Sequence, residues 1–253
     1  MLVVVSPAKR LDFEVPAPTK KFTQLSELER SKRLIRELKK CDAKKISSLM
    51  KLSDALTELN IKRYKEFKTP FNLKNAKQAV FAFKGDTYVG LDAETMKESD
   101  LKYAQDHLRI LSGLYGLISP LDLIQPYRLE MGTKFACDGS KNLYEYWGET
   151  ITGKLNSLLA KEKVLVNLAS KEYFGAVNLK ELDAKVIIPS FREKKGDEYK
   201  MVGFFAKKAR GMMSRYIIDN RIEAPEDLLK FDIDGYKYNK SLSSDLEPAF
   251  TRG

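Results

Sequence analysis

Apolar positions along the chain fall into two rhythms. Leu2–Val5 and Val164–Leu168 are short, nearly unbroken apolar runs, the pattern of strands covered on both faces. A spacing of three and four runs through Leu25, Leu28, Leu34, Ile35 and Leu38, and again through Leu52, Leu56, Leu59 and Tyr64, predicting two helices. Further helices are predicted over residues 100–107, with Ser99 as N-cap, over 147–159 and over 205–220. Residues 79–83 read as a strand with Gly85-Asp86 as its turn, and residues 108–112 fit either a helical extension or a buried strand. Residues 186–191 and 199–205 read as a β-pair turning through Lys195-Gly196-Asp197, and Asp234-Gly235 as a second hairpin signal. Pro225 opens a short helix, whereas Pro7, Pro16 and Pro18 make residues 7–19 a long loop. Strands alternating with helices predict an α/β fold: a mixed, largely parallel central sheet flanked by helices, with 2–5 and 164–168 inside it. No repeat or linker divides the chain, so residues 1–253 are expected to form a single domain.

Composition narrows the chemistry. The chain has 253 residues with one His and two Cys. His107 alone excludes a two-His metal site, and Cys41 and Cys137 are too few for a Cys-rich one. No apolar run is long enough for a membrane span and no secretory leader is evident, so a cytoplasmic protein without a disulfide is expected. The formal net charge of +10 is uneven. Residues 9–45 hold 12 Lys and Arg against 6 Asp and Glu, and residues 192–215 hold 8 against 3, leaving the remainder close to neutral. Two basic tracts point to a polyanion. Over 205–220 the helical period puts Ala206, Ala209, Met213, Tyr216 and Ile217 on one face and Lys207, Lys208, Arg210, Ser214 and Arg215 on the other. Gly211 interrupts the basic arc at a cost of ~1 kcal/mol relative to Ala, which either a close phosphate or a close helix would justify.

Two glycine patterns invite functional readings. Gly148 to Lys154 matches a Walker A pattern except that Leu155 stands where the hydroxyl belongs, and no apolar strand precedes it. Gly113-Leu114-Tyr115-Gly116 would offer backbone N–H groups to a DNA phosphate if it joined two helices. More informative are the segments that follow the apolar runs: Ser6 to Lys9, Ser112 to Gly116, Asn167 to Tyr173, and Ser190 to Arg192. In a parallel sheet, ligands bind beyond the carboxyl ends of strands. One cleft is therefore expected to gather Ser6, Lys9, Ser112, Tyr115, Asn167 and Ser170, and an enzyme reading adds Arg128, Glu130 and Glu172 to it. Within it Lys9, Glu130 and Glu172 are candidate catalytic groups, with Arg128 and Glu130 alternatively a structural ion pair.

Several motifs together resemble the YaaA family: Ser6-Pro7-Ala8-Lys9, Leu111 to Gly116, the thirteen residues Pro120 to Gly132, Asn167 to Tyr173, Lys207 to Gly211, and Phe250-Thr251-Arg252. Arg10 departs from the hydroxyl residue common after the lysine. The resemblance implies a bacterial cytoplasmic protein that helps cells withstand hydrogen peroxide by limiting unincorporated iron. It also implies DNA binding through a positive cleft and a helix–hairpin–helix-like element. On that reading Lys207, Lys208, Arg210, Gly211, Arg215, Gly113 and Gly116 hold DNA with little sequence preference, and no metal, cofactor or membrane is involved. The competing reading is an enzyme acting on a nucleotide or a damaged base in the cleft.

Overall fold

A computed structural model describes residues 1–161 and 163–253. Its central sheet has five strands: β1 (Leu2–Val5), β2 (Leu108–Ser112), β3 (Gly116–Ile118), β4 (Val164–Leu168) and β5 (Lys185–Ile187), in the spatial order β3-β2-β1-β4-β5. β1 is central and parallel to both neighbours, Val3 lying opposite Leu108 on one side and Val166 on the other. Its four residues are all buried, as the uninterrupted apolar run requires. β4 and β5 are also parallel, and only β3 runs antiparallel, folding back from β2. The fold is therefore mixed α/β with a mostly parallel sheet flanked by helices.

Strand order creates a crevice. From β1 the chain proceeds to β2 on one side, and from β4 to β5 on the other. The loops leaving two adjacent parallel strands thus diverge, opening a gap at their carboxyl ends. A second sheet, with Ser190–Lys195 and Ala249–Arg252 paired in parallel at its middle, carries Glu198–Lys200 and Lys237–Tyr238 on its edges.

Helices begin where local chemistry allows. Asp42 accepts the Lys45 N–H at 2.7 Å to start Ala43–Met50, Ser53 caps Asp54–Glu66, and Asn142 accepts the Glu145 N–H at 3.0 Å to start Leu143–Leu159. Helix Glu98–His107 starts two residues before the expected Asp100, with Lys97 as N-cap; Asp100 reaches back to the Lys97 N–H, and Ser99 lies within the first turn.

Several sequence expectations are corrected. Residues 79–83 form a helical turn, Ala79–Ala82, between two-residue strands, because every side chain there is buried and no period distinguishes helix from strand. Residues 108–112 are strand β2. The expected β-pair of 186–191 with 199–205 is present about its expected turn but with other bounds: Ser190–Lys195 pairs antiparallel with Glu198–Lys200, Lys185–Ile187 belongs to the central sheet, and residues from Gly203 are already helical. Asp234-Gly235 lies in a 3-10 turn, and Lys237–Tyr238 pairs with Ala249–Arg252 instead of its own predecessor. In Asp54–Glu66 the helix is as expected but its face is not. Tyr64 is buried as expected, but Leu56 and Leu59 are exposed, and Thr57 and Asn60 point inward in their place. The Walker-like segment is helical throughout, inside Leu143–Leu159, and Lys154 pairs with Glu27 at 2.7 Å.

Candidate functional site

The crevice between the ends of β1 and β4 has a volume of about 460 Å³. Its floor is stitched by two serines: Ser6 Oγ accepts the Ser170 N–H at 2.9 Å and donates to Ser170 Oγ at 3.3 Å. Tyr88 donates its hydroxyl to the Ser6 carbonyl at 3.1 Å from beneath. Burial pushes the phenols of Tyr88 and Tyr173 far above their ordinary values, so both remain neutral hydroxyls. One wall is the 84–88 segment and the other is helix Gly203–Asn220, which contributes Lys207 and Arg210.

That second wall depends on Gly211. A Cβ there would lie 1.8 Å from the Thr87 carbonyl oxygen, and one at Gly90 would lie 2.1 Å from the Lys208 carbonyl oxygen. The two helices, Asp86–Leu91 and Gly203–Asn220, therefore cross with their backbones in contact. Gly211 is a packing glycine and is buried, so its placement among DNA-contacting residues is corrected.

Charge in the crevice is lopsided. Lys9, Arg10, Lys84, Lys207 and Arg210 line it, against Asp86 and Glu172. Lys9 pairs with Glu130 Oε2 at 2.7 Å, and Lys84 pairs with Glu94 and lies 3.8 Å from Asp12. Arg10, Lys207 and Arg210 make no ion pair or side-chain hydrogen bond among the described residues. Desolvation alone lowers the pKa of the Arg210 guanidinium, since no carboxylate faces it. A half-buried cation without a counter-ion is costly until an anion arrives.

The nine expected cleft residues separate into two groups. Ser6, Lys9, Ser170 and Glu172 line the crevice, and Glu130 with Arg128 backs Lys9. Both Glu130 oxygens are engaged, Oε1 by Arg128 Nε at 3.0 Å and Nη2 at 2.9 Å, and Oε2 by Lys9. A substrate proton reaches this carboxylate only by displacing a cation. Glu172 keeps more freedom, with Oε1 accepting the Gly132 N–H at 3.0 Å. Ser112, Tyr115 and Asn167 are corrected: all three are buried and structural. Ser112 Oγ bonds Tyr127 Oη at 2.7 Å and accepts the Tyr115 N–H at 3.0 Å. Tyr115 donates to the Gln125 carbonyl, and Asn167 Oδ1 accepts the Ala169 N–H, each near 3.0 Å or closer.

The Gly113–Gly116 segment joins two strands, not two helices, so the helix–hairpin–helix reading of it is corrected as well. Trp147 Nε1 donates to the Gly113 carbonyl at 2.9 Å, and a Cβ on Gly116 would meet the Trp147 ring at 2.7 Å. These glycines are buried under Leu143–Leu159 and present no N–H to a phosphate.

Of the remaining basic residues, Lys208 lies 3.3 Å from Asp234. Arg215 is bound by Asp219 at 2.8 Å and by the Asp92 carbonyl at 2.8 Å. Both are structural ties. Sequence reasoning missed Arg10, Lys84 and the 85–88 segment as site residues: Arg10 follows Lys9 beyond β1 and stands out in the sequence only for its departure from a hydroxyl residue, and Lys84 ends, and residues 85–88 follow, a short strand outside the central sheet, so its turn pointed to no crevice. Among the described residues no group of three or more His, Cys, Asp or Glu is placed to hold a metal ion, and no helix is long and apolar enough to cross a membrane.

A family profile described as "Peroxide stress protein YaaA" matches residues 1–242. A protein of Shewanella loihica named "UPF0246 protein" is 54% identical over 254 residues, covering 100% of this chain and 98% of its own length. Similar proteins of the same name in Colwellia psychrerythraea and Cellvibrio japonicus are 51% and 52% identical, each over 100% of this chain and 99% and 98% of their own lengths.

Proposed function

The chain belongs to the peroxide stress protein YaaA family, and we propose that it acts in the cytoplasm by binding DNA with little sequence preference, limiting damage linked to intracellular iron. The observation that carries this reading is the group Arg10, Lys207 and Arg210: three cations that line one crevice and make no ion pair among the described residues. Phosphate oxygens are the ligands such cations lack, and backbone contacts of this kind hold a nucleic acid without reading its sequence. The helix pair Ala43–Met50 and Asp54–Glu66, joined by the short turn 51–53, is where a helix–hairpin–helix-like contact would lie, with Lys51 at the turn. The iron link then enters through protection of DNA, the target that iron and peroxide damage together.

The test is fluorescence anisotropy on labelled DNA at several salt concentrations. Each phosphate neutralised on duplex DNA contributes a log–log slope of about −0.9. The double variant Lys207→Ala/Arg210→Ala is expected to weaken binding to unrelated sequences alike and to flatten the slope by roughly 2 units. Unchanged affinity and slope would overturn the assignment of this crevice.

A second reading rests on Glu172. Its carboxylate lines a crevice of about 460 Å³, within the range of roughly 300–1,000 Å³ that encloses small ligands. In that reading Glu172 serves as acid–base group on a nucleotide or damaged base held by the same cations. Glu172→Gln would then abolish peroxide protection while leaving DNA affinity intact.

A further inference from the structure

Helix Gly203–Asn220 begins with apolar side chains left in water. Phe204 is 58% exposed and Phe205 38%, and Met201 just before them is 56% exposed. Burying a Phe is worth roughly 1.5–3 kcal/mol, so a ring left outside at the start of a long helix forgoes a contribution the rest of the core collects. Phe204 is held in place nonetheless. Its ring meets Phe205 edge-on at 5.5 Å, and the Arg252 guanidinium lies 4.8 Å from the Phe205 centroid. Arg252 is in turn fixed by Glu193 at 2.9 Å and Asp234 at 2.7 Å.

The surroundings are cationic. Lys207 follows Phe204 by three residues, one turn along the helix, and Arg210 follows Lys207 by three more, stepping round toward the crevice that both cations line. On the adjoining strand Ser190–Lys195, Arg192, Lys194 and Lys195 make no ion pair or side-chain hydrogen bond among the described residues. Of the nearby carboxylates, Glu193 and Asp234 are already occupied by Arg252, Tyr236 and Lys208, and Glu198, opposite Lys195 in the ladder, by Lys200; with Asp197 at the turn they leave the cations of this strand in excess. An exposed aromatic ring set among unneutralised cations suits a polyanion that also carries free π-faces.

We propose that this surface binds single-stranded DNA, with an unpaired base stacked on Phe204 and its flanking phosphates on Lys207 and Arg210. The inference rests on the DNA-binding reading and sharpens it. A duplex keeps the faces of its bases inside the stack, so it can use only the cations. A single strand uses both cations and ring.

The experiment compares three fluorescein-labelled ligands of equal length: oligo(dT), a fully abasic deoxyribose strand, and a duplex. The proteins are the wild type, Phe204→Ala, Phe204→Tyr, and Lys207→Ala/Arg210→Ala. Wild type should bind oligo(dT) more tightly than the abasic strand. Phe204→Ala should lose about ten-fold on oligo(dT), with no change on the abasic strand or the duplex, and Phe204→Tyr should restore the wild-type value. The double variant should weaken all three ligands. Phe204→Ala binding oligo(dT) as well as wild type overturns the stacking role; if the double variant still weakens the duplex, the DNA-binding reading stands without it. If the double variant also changes nothing, both fall. Should Phe204→Ala convert a dimer to a monomer in sedimentation with DNA affinity unchanged, a second copy of the chain covers the ring instead, and the proposal is overturned.

Discussion

Gly90 and Gly211 face one another across a helix crossing so close that neither position has room for a methyl group. The would-be Cβ atoms lie 2.1 Å from the Lys208 carbonyl oxygen and 1.8 Å from the Thr87 carbonyl oxygen. This contact sets the distance between the Asp86–Leu91 segment and the helix that carries Lys207 and Arg210, and so it sets the width of the crevice.

Gly211→Ala and Gly90→Ala should each destabilise the protein, because the clash is with backbone that cannot rotate away. The expected loss is about 2–3 kcal/mol after the gain in helix propensity is counted, a fall in Tm of roughly 5–10 °C at this chain length. Gly153→Ala is the control. It lies in the Leu143–Leu159 helix with nothing within 4 Å of its would-be Cβ, and should raise stability by about 0.5–1 kcal/mol. Thermal denaturation followed by circular dichroism measures all three, and a neutral Gly211→Ala would contradict the crossing geometry.

Glu130 separates binding from catalysis. Its carboxylate pairs with both Lys9 and Arg128, one negative charge shared between two cations, so Glu130→Gln should release positive charge beside the crevice. DNA affinity should rise severalfold and the salt slope should steepen by roughly one unit. A variant that binds DNA more tightly yet fails to protect cells from peroxide would assign Glu130 a chemical role instead.

The two thiols should be poor targets for peroxide. Burial, with Asp138 and Glu37 nearby, pushes the Cys137 thiol from an ordinary 9.0 to about 11, and burial raises Cys41 as well. The thiolate is the reacting form, so Cys137 should react with hydrogen peroxide or iodoacetamide about 100-fold more slowly than an unperturbed cysteine. Mass spectrometry of the treated native protein gives the rates. Cys41→Ser/Cys137→Ser should keep full peroxide protection, and rapid sulfenic acid formation at either site would reverse this conclusion.

Asp100 ties helix Glu98–His107 to Arg221, its Oδ1 accepting from Arg221 Nη2 at 2.6 Å and its Oδ2 from the Lys97 N–H at 3.0 Å. The Arg221 hydrogen bond, more than any other contact, holds the carboxyl below its ordinary value of 3.8. Because the folded-state value is the lower one, the stabilisation is complete above the unfolded value and is lost as the pH falls through the folded one. Wild type should therefore melt above Asp100→Asn at neutral pH, and the gap should close in acid below the ordinary carboxylate range. A gap independent of pH would show that the hydrogen bonds matter and the charge does not.

Much of the scaffold was legible along the chain. Apolar runs identified β1 and β4 as interior strands, since a strand covered on both faces tolerates no polar alternation, and a period of 3.6 located the long helices. The strand ends also announced Ser6, Lys9 and Ser170 as crevice residues. Where every side chain was buried, as in residues 79–83, helix and strand had the same local pattern and the reading failed. The role of a polar residue was hidden for a different reason. Ser112, Tyr115 and Asn167 follow or end strands just as Ser6 does, yet they spend their hydrogen bonds inside the core, and which of the two happens depends on what packs above them. Gly211 posed the same question, and Thr87, more than a hundred residues earlier, answers it. Charge was readable as a tract, but its availability was not: Lys208 and Arg215 are consumed by Asp234 and Asp219, whereas Arg10, Lys207 and Arg210 are left to face the crevice. Local sequence governs backbone propensity and burial, which are short-range. Pairing of charges and closeness of helices are set by segments distant in the chain, and only folding brings those together.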